Sequence, residues 1–179
     1  MQILDILKTR RSIRKYTSQE VPDEMIRNLL EAGMYAPSAG NQQPWHFVVI
    51  RQKETLQRVT DFHPNAKMLP GAQVAILVCG DHSLETKKGY WMVDCAAATQ
   101  NILIAAHGMG LGAVWLGIYP REERMEGMRK LTGLPAHVDP FSLIAIGYPA
   151  EQKPVPSDRI KPERIHYETL MIVPKHKHG

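Results

Sequence analysis

The chemistry-bearing residues that stand out first are four cations crowded into residues 10–15, Arg-Arg-Ser-Ile-Arg-Lys, here called the cationic run. Arg10 and Arg14 are four residues apart, so they share one face in a helix and also in a strand. Ser12 joins them only if the segment is extended. Two guanidiniums and a hydroxyl suit a terminal phosphate, because arginine binds phosphate oxygens through a bidentate fork. A solvated charged surface is the alternative, and the run alone does not separate the two.

A second polar concentration occupies residues 37–43, Pro-Ser-Ala-Gly-Asn-Gln-Gln, here called the polar loop. Its side chains supply hydrogen-bond donors and acceptors, Gly40 allows close backbone approach, and Trp45 follows as a flat apolar wall. This composition could hold a planar heterocycle by its polar edge. An ordinary helix-to-strand connection explains the same residues equally well.

The sequence contains no pattern of side chains that would catalyse a reaction unaided. There is no G-x-S-x-G or H-E-x-x-H motif, and the eight histidines show no metal-ligand spacing. Gly108, Gly110 and Ala113 fit a dinucleotide fingerprint, but a helix precedes it and a strand follows, which is the reverse of what that site needs. Gly108 is instead expected to cap the helix. An enzyme built this way would depend on a bound cofactor.

Hydrophobic periodicity predicts the elements that must position these residues. Helices are expected over residues 3–9, 21–36, 53–62, 89–108 and 121–133, with Pro22 in the first turn of the second. Strands are expected over residues 45–50, 73–80, 111–118 and 140–149. The helix at 89–108 is apolar almost all round, so it should be buried on most sides. Residues 150–179 form a proline-rich arm, and the apolar cluster at 170–173 favours wrapping around a second subunit.

Chain length, net charge and cysteine content limit the classes of protein to which this sequence can belong. The 179 residues suit one domain, and the formal net charge is only +4. The basic surplus is local, whereas duplex nucleic-acid binding usually needs a broad basic surface. Two cysteines, no signal pattern and no long apolar stretch lead us to expect a cytoplasmic protein with no membrane partner.

Taken together, these pieces resemble the FMN-dependent nitroreductase family. The matching stretches are RRSIRKY, VPDEMIRNLLEAGMYAPSAGNQQPWHFVVI, AAATQNILIAAHGMGLGAVWLGIYP, IAIGYP and RIHYETL. The resemblance implies an α+β fold with a central, mostly antiparallel sheet flanked by helices and an extended C-terminal arm. It implies a single FMN-binding domain over residues 1–179, and a homodimer in which the arm, residues 150–179, embraces the partner.

The resemblance also assigns cofactor contacts. At the ribityl phosphate it places Arg10, Arg11, Ser12 and Arg14. At the FMN of the other subunit it places Pro37, Ser38, Ala39 and Asn41. Beside flavin N5 it places the backbone of Trp115, Leu116 and Gly117. From the arm it adds Arg159, with Arg164 as a second candidate. Asn65, Lys67 and Met68 lie where the family varies most, near the substrate channel, and receive no role.

The function implied is hydride transfer from NAD(P)H through flavin N5 to nitroaromatic, quinone or similar small acceptors. No catalytic side chain is assigned. Two alternatives remain: an FMN-binding protein without turnover, serving as a sensor or flavin store, and a basic nucleic-acid-binding module. The second rests on one basic cluster with a single nearby aromatic residue, Tyr16.

Overall fold

The sheet at the centre of the molecule is antiparallel throughout, in a computed structural model that describes residues 2–170. Its strand order is β1-β2-β4-β3. The strands are β1 Trp45–Ile50, β2 Val74–Asp81, β3 Gly112–Gly117 and β4 Val138–Gly147. The four predicted strands are confirmed, with ends that differ by at most two residues. β2 is buried along its whole length, as its uniformly apolar sequence predicts.

Within residues 2–170, five α-helices lie around the sheet, and the predicted five are confirmed. They are α1 Ile3–Thr9, α2 Asp23–Met34, α3 Lys53–Arg58, α4 Trp91–Gly108 and α5 Glu122–Thr132. Pro22 was expected in the first turn of α2, but it is the N-cap residue. The helix predicted to reach residue 62 is α-helical only to Arg58 and continues as a 3-10 turn, Val59–Asp61. Two β-branched residues, Val59 and Thr60, weaken helix propensity at that point.

The C-terminus of α4 differs from the prediction that Gly108 caps it. Gly108 is the last helical residue, and the left-handed residue is Gly110, with φ of 79°. The Leu111 N–H donates to the Ala106 carbonyl at 2.8 Å and the Gly110 N–H to His107 at 3.0 Å. This pair of bonds defines a Schellman motif, in which glycine adopts positive φ at little cost.

Apolar side chains cover both faces of the sheet. On β2, Val74, Ile76 and Val78 pack with α2 and α4, whereas Ala75, Leu77 and Cys79 pack with α3 and α5. The alternation follows from the two-residue period of a strand. The resulting order is helix layer, sheet, helix layer, which is the α+β architecture expected.

The cationic run lies in an extended conformation beside β3. Ser12 forms an isolated parallel bridge with Ala113, and the Ile13 N–H donates to the Ala113 carbonyl at 3.0 Å. A Cβ on Gly112 would come within 2.7 Å of the Ile13 side chain, so glycine is what permits this approach. The condition for Ser12 to share a face with Arg10 and Arg14 is therefore met.

The first residues of the arm cover the other side of the run. The Ala150 N–H donates to the Lys15 carbonyl at 2.8 Å, and Lys153 Nζ donates to the Ser12 carbonyl at 2.9 Å. Beyond this contact the described arm holds one 3-10 turn, Pro162–Arg164. Most of the predicted apolar cluster at 170–173 lies outside the described residues. Within residues 2–170 no helix combines the length and apolar character needed to cross a membrane.

Candidate functional site

The cationic run borders a cavity of about 410 Å³, here called the Arg10 cavity, between α1 and the arm. Arg10, Arg11 and Arg159 line it together. Burial, and then the like charges of Arg11 and Arg159, lower the pKa of Arg10. Among the described residues no Asp or Glu lines this cavity, so the positive charge of the cavity can attract an anion.

Arg11 differs from its neighbours because its guanidinium is occupied by backbone carbonyls. Nε donates to Pro154 at 2.9 Å and Nη2 donates to Lys8 at 2.9 Å. These bonds tie α1 and the arm to the run. Arg11 therefore shapes the Arg10 cavity, whereas the guanidiniums of Arg10 and Arg159 remain uncommitted to any hydrogen bond within residues 2–170.

A second cavity, of about 450 Å³, lies at the other end of the run and is here called the Arg14 cavity. Three elements line it besides the run: the end of β3, the segment 63–68 and the first turn of α5. The lining side chains and backbone belong to Arg14, His63, Pro64, Asn65, Lys67, Met68, Trp115, Leu116, Gly117 and Arg124. A Cβ at Gly117 would meet no atom within 4 Å, so the backbone there faces open space.

The run connects the two cavities. Arg10 lines one and Arg14 lines the other. In an extended chain these residues stand about 13 Å apart, at roughly 3.3 Å per residue. The arrangement therefore suits one elongated ligand with an anionic end and a flat end.

The carbonyl of Gly117 is held by two donors. His63 Nε2 donates to it at 3.1 Å, and Arg124 Nη1 donates to it at 2.8 Å. The Asn65 N–H donates to His63 Nδ1 at 3.3 Å. His63 is buried and bonded on both sides, so it must be the neutral tautomer with its proton on Nε2.

Burial, reinforced by the positive charge of Arg124, lowers the pKa of His63. Protonation of Nδ1 would turn an acceptor into a donor facing the Asn65 N–H. The neutral ring thus joins the segment 63–68 to the end of β3, and it fixes the relative position of two walls of the Arg14 cavity.

The polar loop lies apart from both cavities in this single chain. Residues Pro37, Ser38, Ala39 and Asn41 are absent from the lining of either one. The buried carboxylate of Asp94 on α4 holds the loop: it accepts from the Ala39 N–H at 2.9 Å and from Gln42 Nε2 at 2.7 Å. Asn41 adopts a positive φ of 55°. The loop is therefore anchored from beneath while its own tip stays exposed.

The fold thus gathers some of the predicted site residues and separates others. Arg10 and Arg159 share one cavity, and Arg14 shares the other with the Trp115–Gly117 backbone. Arg164, the second candidate from the arm, does not line the Arg10 cavity. Ser12 lies between the two cavities as a half-buried residue.

Sequence reasoning left several cavity residues without a function. Asn65, Lys67 and Met68 were named without a role, and all three line the Arg14 cavity. His63 and Arg124 were not singled out at all. A histidine in a short loop and an arginine on a charged helix carry no spacing signal, because their partner is a backbone carbonyl distant in sequence.

Comparison with known proteins gives a consistent result over most of the chain. The model of the nitroreductase family matches residues 7–63 and 62–148. A protein of Methanothermobacter thermautotrophicus, described as a candidate NADH dehydrogenase/NAD(P)H nitroreductase, is 53% identical over 168 residues. That alignment covers 94% of this chain and 87% of the relative.

Solved structures agree with the sequence match. An FMN-dependent nitroreductase from Clostridium difficile superposes with a TM-score of 0.87 at 28% identity, covering 93% of this chain and 99% of the other. A candidate nitroreductase from Desulfovibrio desulfuricans, crystallised in complex with FMN, gives a TM-score of 0.80 at 34% identity, covering 96% and 99%.

Proposed function

Since the chain belongs to the nitroreductase family, whose members are NAD(P)H-dependent flavin oxidoreductases, we propose that it binds FMN along the cationic run and reduces small acceptors. The acceptors are nitroaromatics, quinones or similar compounds. The observation that carries the proposal is the pair of cavities that the extended run connects, one cationic and one beside exposed strand backbone.

The Arg10 cavity fits the phosphate end of FMN. Arg10 and Arg159 present uncommitted guanidiniums, and burial, followed by the like charges of Arg11 and Arg159, lowers the pKa of Arg10. No carboxylate of the described part of the chain lines the cavity as a counterion. A phosphate dianion would supply that counterion and accept charge-assisted hydrogen bonds. We assign Arg159, rather than Arg164, to this contact because only Arg159 lines the cavity.

The Arg14 cavity fits the flat end of the cofactor. Trp115, Leu116 and Gly117 border it, and the open space at Gly117 lets a planar ring approach the strand backbone. Arg14 stands at the same cavity. Ser12 stands midway along the run between Arg10 and Arg14, where we place the ribityl chain.

A second copy of the chain would complete the site. The polar loop is built and anchored by Asp94, yet it reaches neither cavity of its own chain. Exposed apolar side chains on α1 and the arm, such as Ile3 at 76% and Ile160 at 77%, leave a surface that a partner could cover. We propose a homodimer in which the loop residues Pro37, Ser38, Ala39 and Asn41 contact the partner's FMN. The cytoplasmic location remains a prediction.

Bound FMN would supply the redox chemistry, accepting hydride from NAD(P)H at N5 and passing two electrons to the acceptor. For a quinone the balance is NAD(P)H, a proton and quinone giving NAD(P)⁺ and hydroquinone. The protein's own residues bind and orient. Arg10 and Arg159 hold the phosphate, the Trp115–Gly117 backbone sets the ring's position, and His63 with Arg124 keeps that backbone in place.

The test is an absorbance spectrum of the purified protein, followed by anaerobic reduction with NADH and NADPH in turn. We expect flavin bands in the visible that bleach with at least one nicotinamide and return when a quinone is added. A protein that stays colourless after FMN is supplied would overturn the proposal. Flavin that binds but is never reduced by either nicotinamide would favour the alternative of a flavin-binding protein without turnover.

A further inference from the structure

The charged residues that line the Arg14 cavity are all cations. They are Arg14 on the run, Lys67 on the segment 63–68 and Arg124 on α5, and no Asp or Glu lines the cavity. His63 adds no charge, since its ring is held neutral. Within residues 2–170 none of the three cations forms an ion pair with a carboxylate. The Glu151 carboxylate accepts from the backbone N–H of Arg14 at 2.5 Å, but it lies outside the lining and pairs with Lys153. The lining itself therefore carries a positive charge.

The proposed cofactor would not neutralise this charge. Its phosphate would lie at the Arg10 cavity, about 13 Å away along the extended run. The flavin ring is uncharged when oxidised and carries at most one negative charge when reduced. At least two of the three cations would then remain without a counterion.

Arg124 is the cation best prepared to hold a ligand. It is half-buried, and its Nη1 bond to the Gly117 carbonyl at 2.8 Å fixes the guanidinium beside the strand end. That bond is its one side-chain hydrogen bond within residues 2–170, whereas an arginine has five N–H donors. A pre-positioned fork of free donors matches a carboxylate or sulfonate in bidentate geometry. Partial burial also reduces screening by salt.

We propose that this site prefers acceptors that carry an anionic group, a carboxylate or sulfonate on the aromatic ring, and that Arg124 binds that group. The proposal rests on the proposed function, because it concerns the acceptor that is reduced there. The pyrophosphate of NAD(P)H and the 2′-phosphate of NADPH are the other anions that the electron donor would bring. Each is separated from the reacting nicotinamide ring by at least one ribose, so an anion attached directly to a small acceptor suits Arg124 better.

The decisive comparison uses para-nitrobenzoate and para-nitrobenzamide, which have nearly the same shape and differ by one charge. For the wild-type holoenzyme we expect a higher kcat/KM for the benzoate, with a ratio that falls as salt is added. Arg124→Gln should lower the benzoate-to-benzamide ratio about tenfold, the size of one charge-assisted contact. Arg124→Lys should retain part of it. Arg121→Gln, an equal charge change outside the cavity lining, should leave the ratio unaltered.

Binding provides a readout that does not depend on turnover. Benzoate and benzamide are titrated into the oxidised holoenzyme while the flavin absorbance is followed. We expect benzoate to bind more tightly in the wild type, and this preference to be lost in Arg124→Gln.

Two outcomes would overturn the proposal, and a third would refute the proposed function on which it rests. An equal benzoate-to-benzamide ratio in the wild type and in Arg124→Gln would overturn it. A variant that changes only the NADPH-to-NADH ratio would show that Arg124 binds the donor's phosphate instead, which also overturns it. Turnover of neither nitro compound, with no reduction of bound flavin by nicotinamide, would instead refute the proposed function itself.

Discussion

Arg159 provides a direct test of the phosphate site, because a matched arginine lies five positions further along the same arm. Arg159 lines the Arg10 cavity and Arg164 does not. A hydrogen bond to a charged group contributes about 1.5–3 kcal/mol. Arg159 is exposed, and solvent screening places its contribution at the lower end. We therefore expect Arg159→Ala to cost about 1.5 kcal/mol, which raises the Kd for FMN roughly tenfold.

The assay is an equilibrium titration of apoprotein with FMN, followed by quenching of flavin fluorescence. Arg164→Ala is the control, since it removes the same charge from the same arm, and its Kd should change less than about twofold. Higher salt should shrink the difference between the two variants, because the contact is partly exposed to solvent.

The thermal stability of the apoprotein provides a second test of the position of Arg159. In the absence of FMN, the charge of Arg159 contributes to the lowered pKa of Arg10. Its removal relieves like-charge repulsion, so the Tm of the Arg159→Ala apoprotein should be equal to or above that of the wild type. A wild-type Kd in Arg159→Ala, or a larger loss in Arg164→Ala, would refute the assignment of the phosphate to this cavity.

Three further predictions concern residues that support the site. Asp94→Ala removes a buried acceptor of two hydrogen bonds from the polar loop. The free energy of unfolding, measured by urea titration, should fall by about 3 kcal/mol. A loss smaller than the error of that titration would show that the loop does not depend on Asp94. His63 has a lowered pKa, so the unfolded state takes up its proton first and stability should decline as pH falls below about 6.5. His63→Gln, which can still donate and accept, should flatten that decline in a series of melting curves, and an unchanged pH profile would contradict the neutral-ring assignment. Gly112→Ala would bring a Cβ to 2.7 Å from Ile13 and should destabilise the protein by about 1–3 kcal/mol, whereas Gly71→Ala, with open space around it, should unfold like the wild type.

Most of the secondary structure follows from local patterns. The continuous apolar sequences of β2 and α4 indicate burial on most sides, and both elements were predicted within two residues. The errors fall at termini. Pro22 was expected inside the first turn and is the N-cap, whereas Gly108 was expected as the C-cap and is the last helical residue. The difference between a cap and a terminal helical residue depends on dihedral angles and hydrogen bonds that neighbouring residues share.

The candidate site also combines features that the sequence predicts with features that depend on the fold. The spacing of Arg10, Ser12 and Arg14 is a property of the sequence, and so is the statement that they can share a face. Whether they do depended on the run being extended, which requires pairing with Ala113 and cover from the arm. Those partners are remote in sequence, so composition could not have identified them.

The sequence by itself determined which groups are present: a cluster of arginines, a polar loop and apolar segments that form buried strands. Its order of motifs was enough to indicate the family. The tertiary structure alone decided which residues meet. Arg159 rather than Arg164 lines a cavity with Arg10, and His63 and Arg124 both donate to one carbonyl of β3. The physical reason is that hydrophobic periodicity is encoded locally, whereas a cavity is formed by chain segments that only the packing of the sheet and its helices brings together.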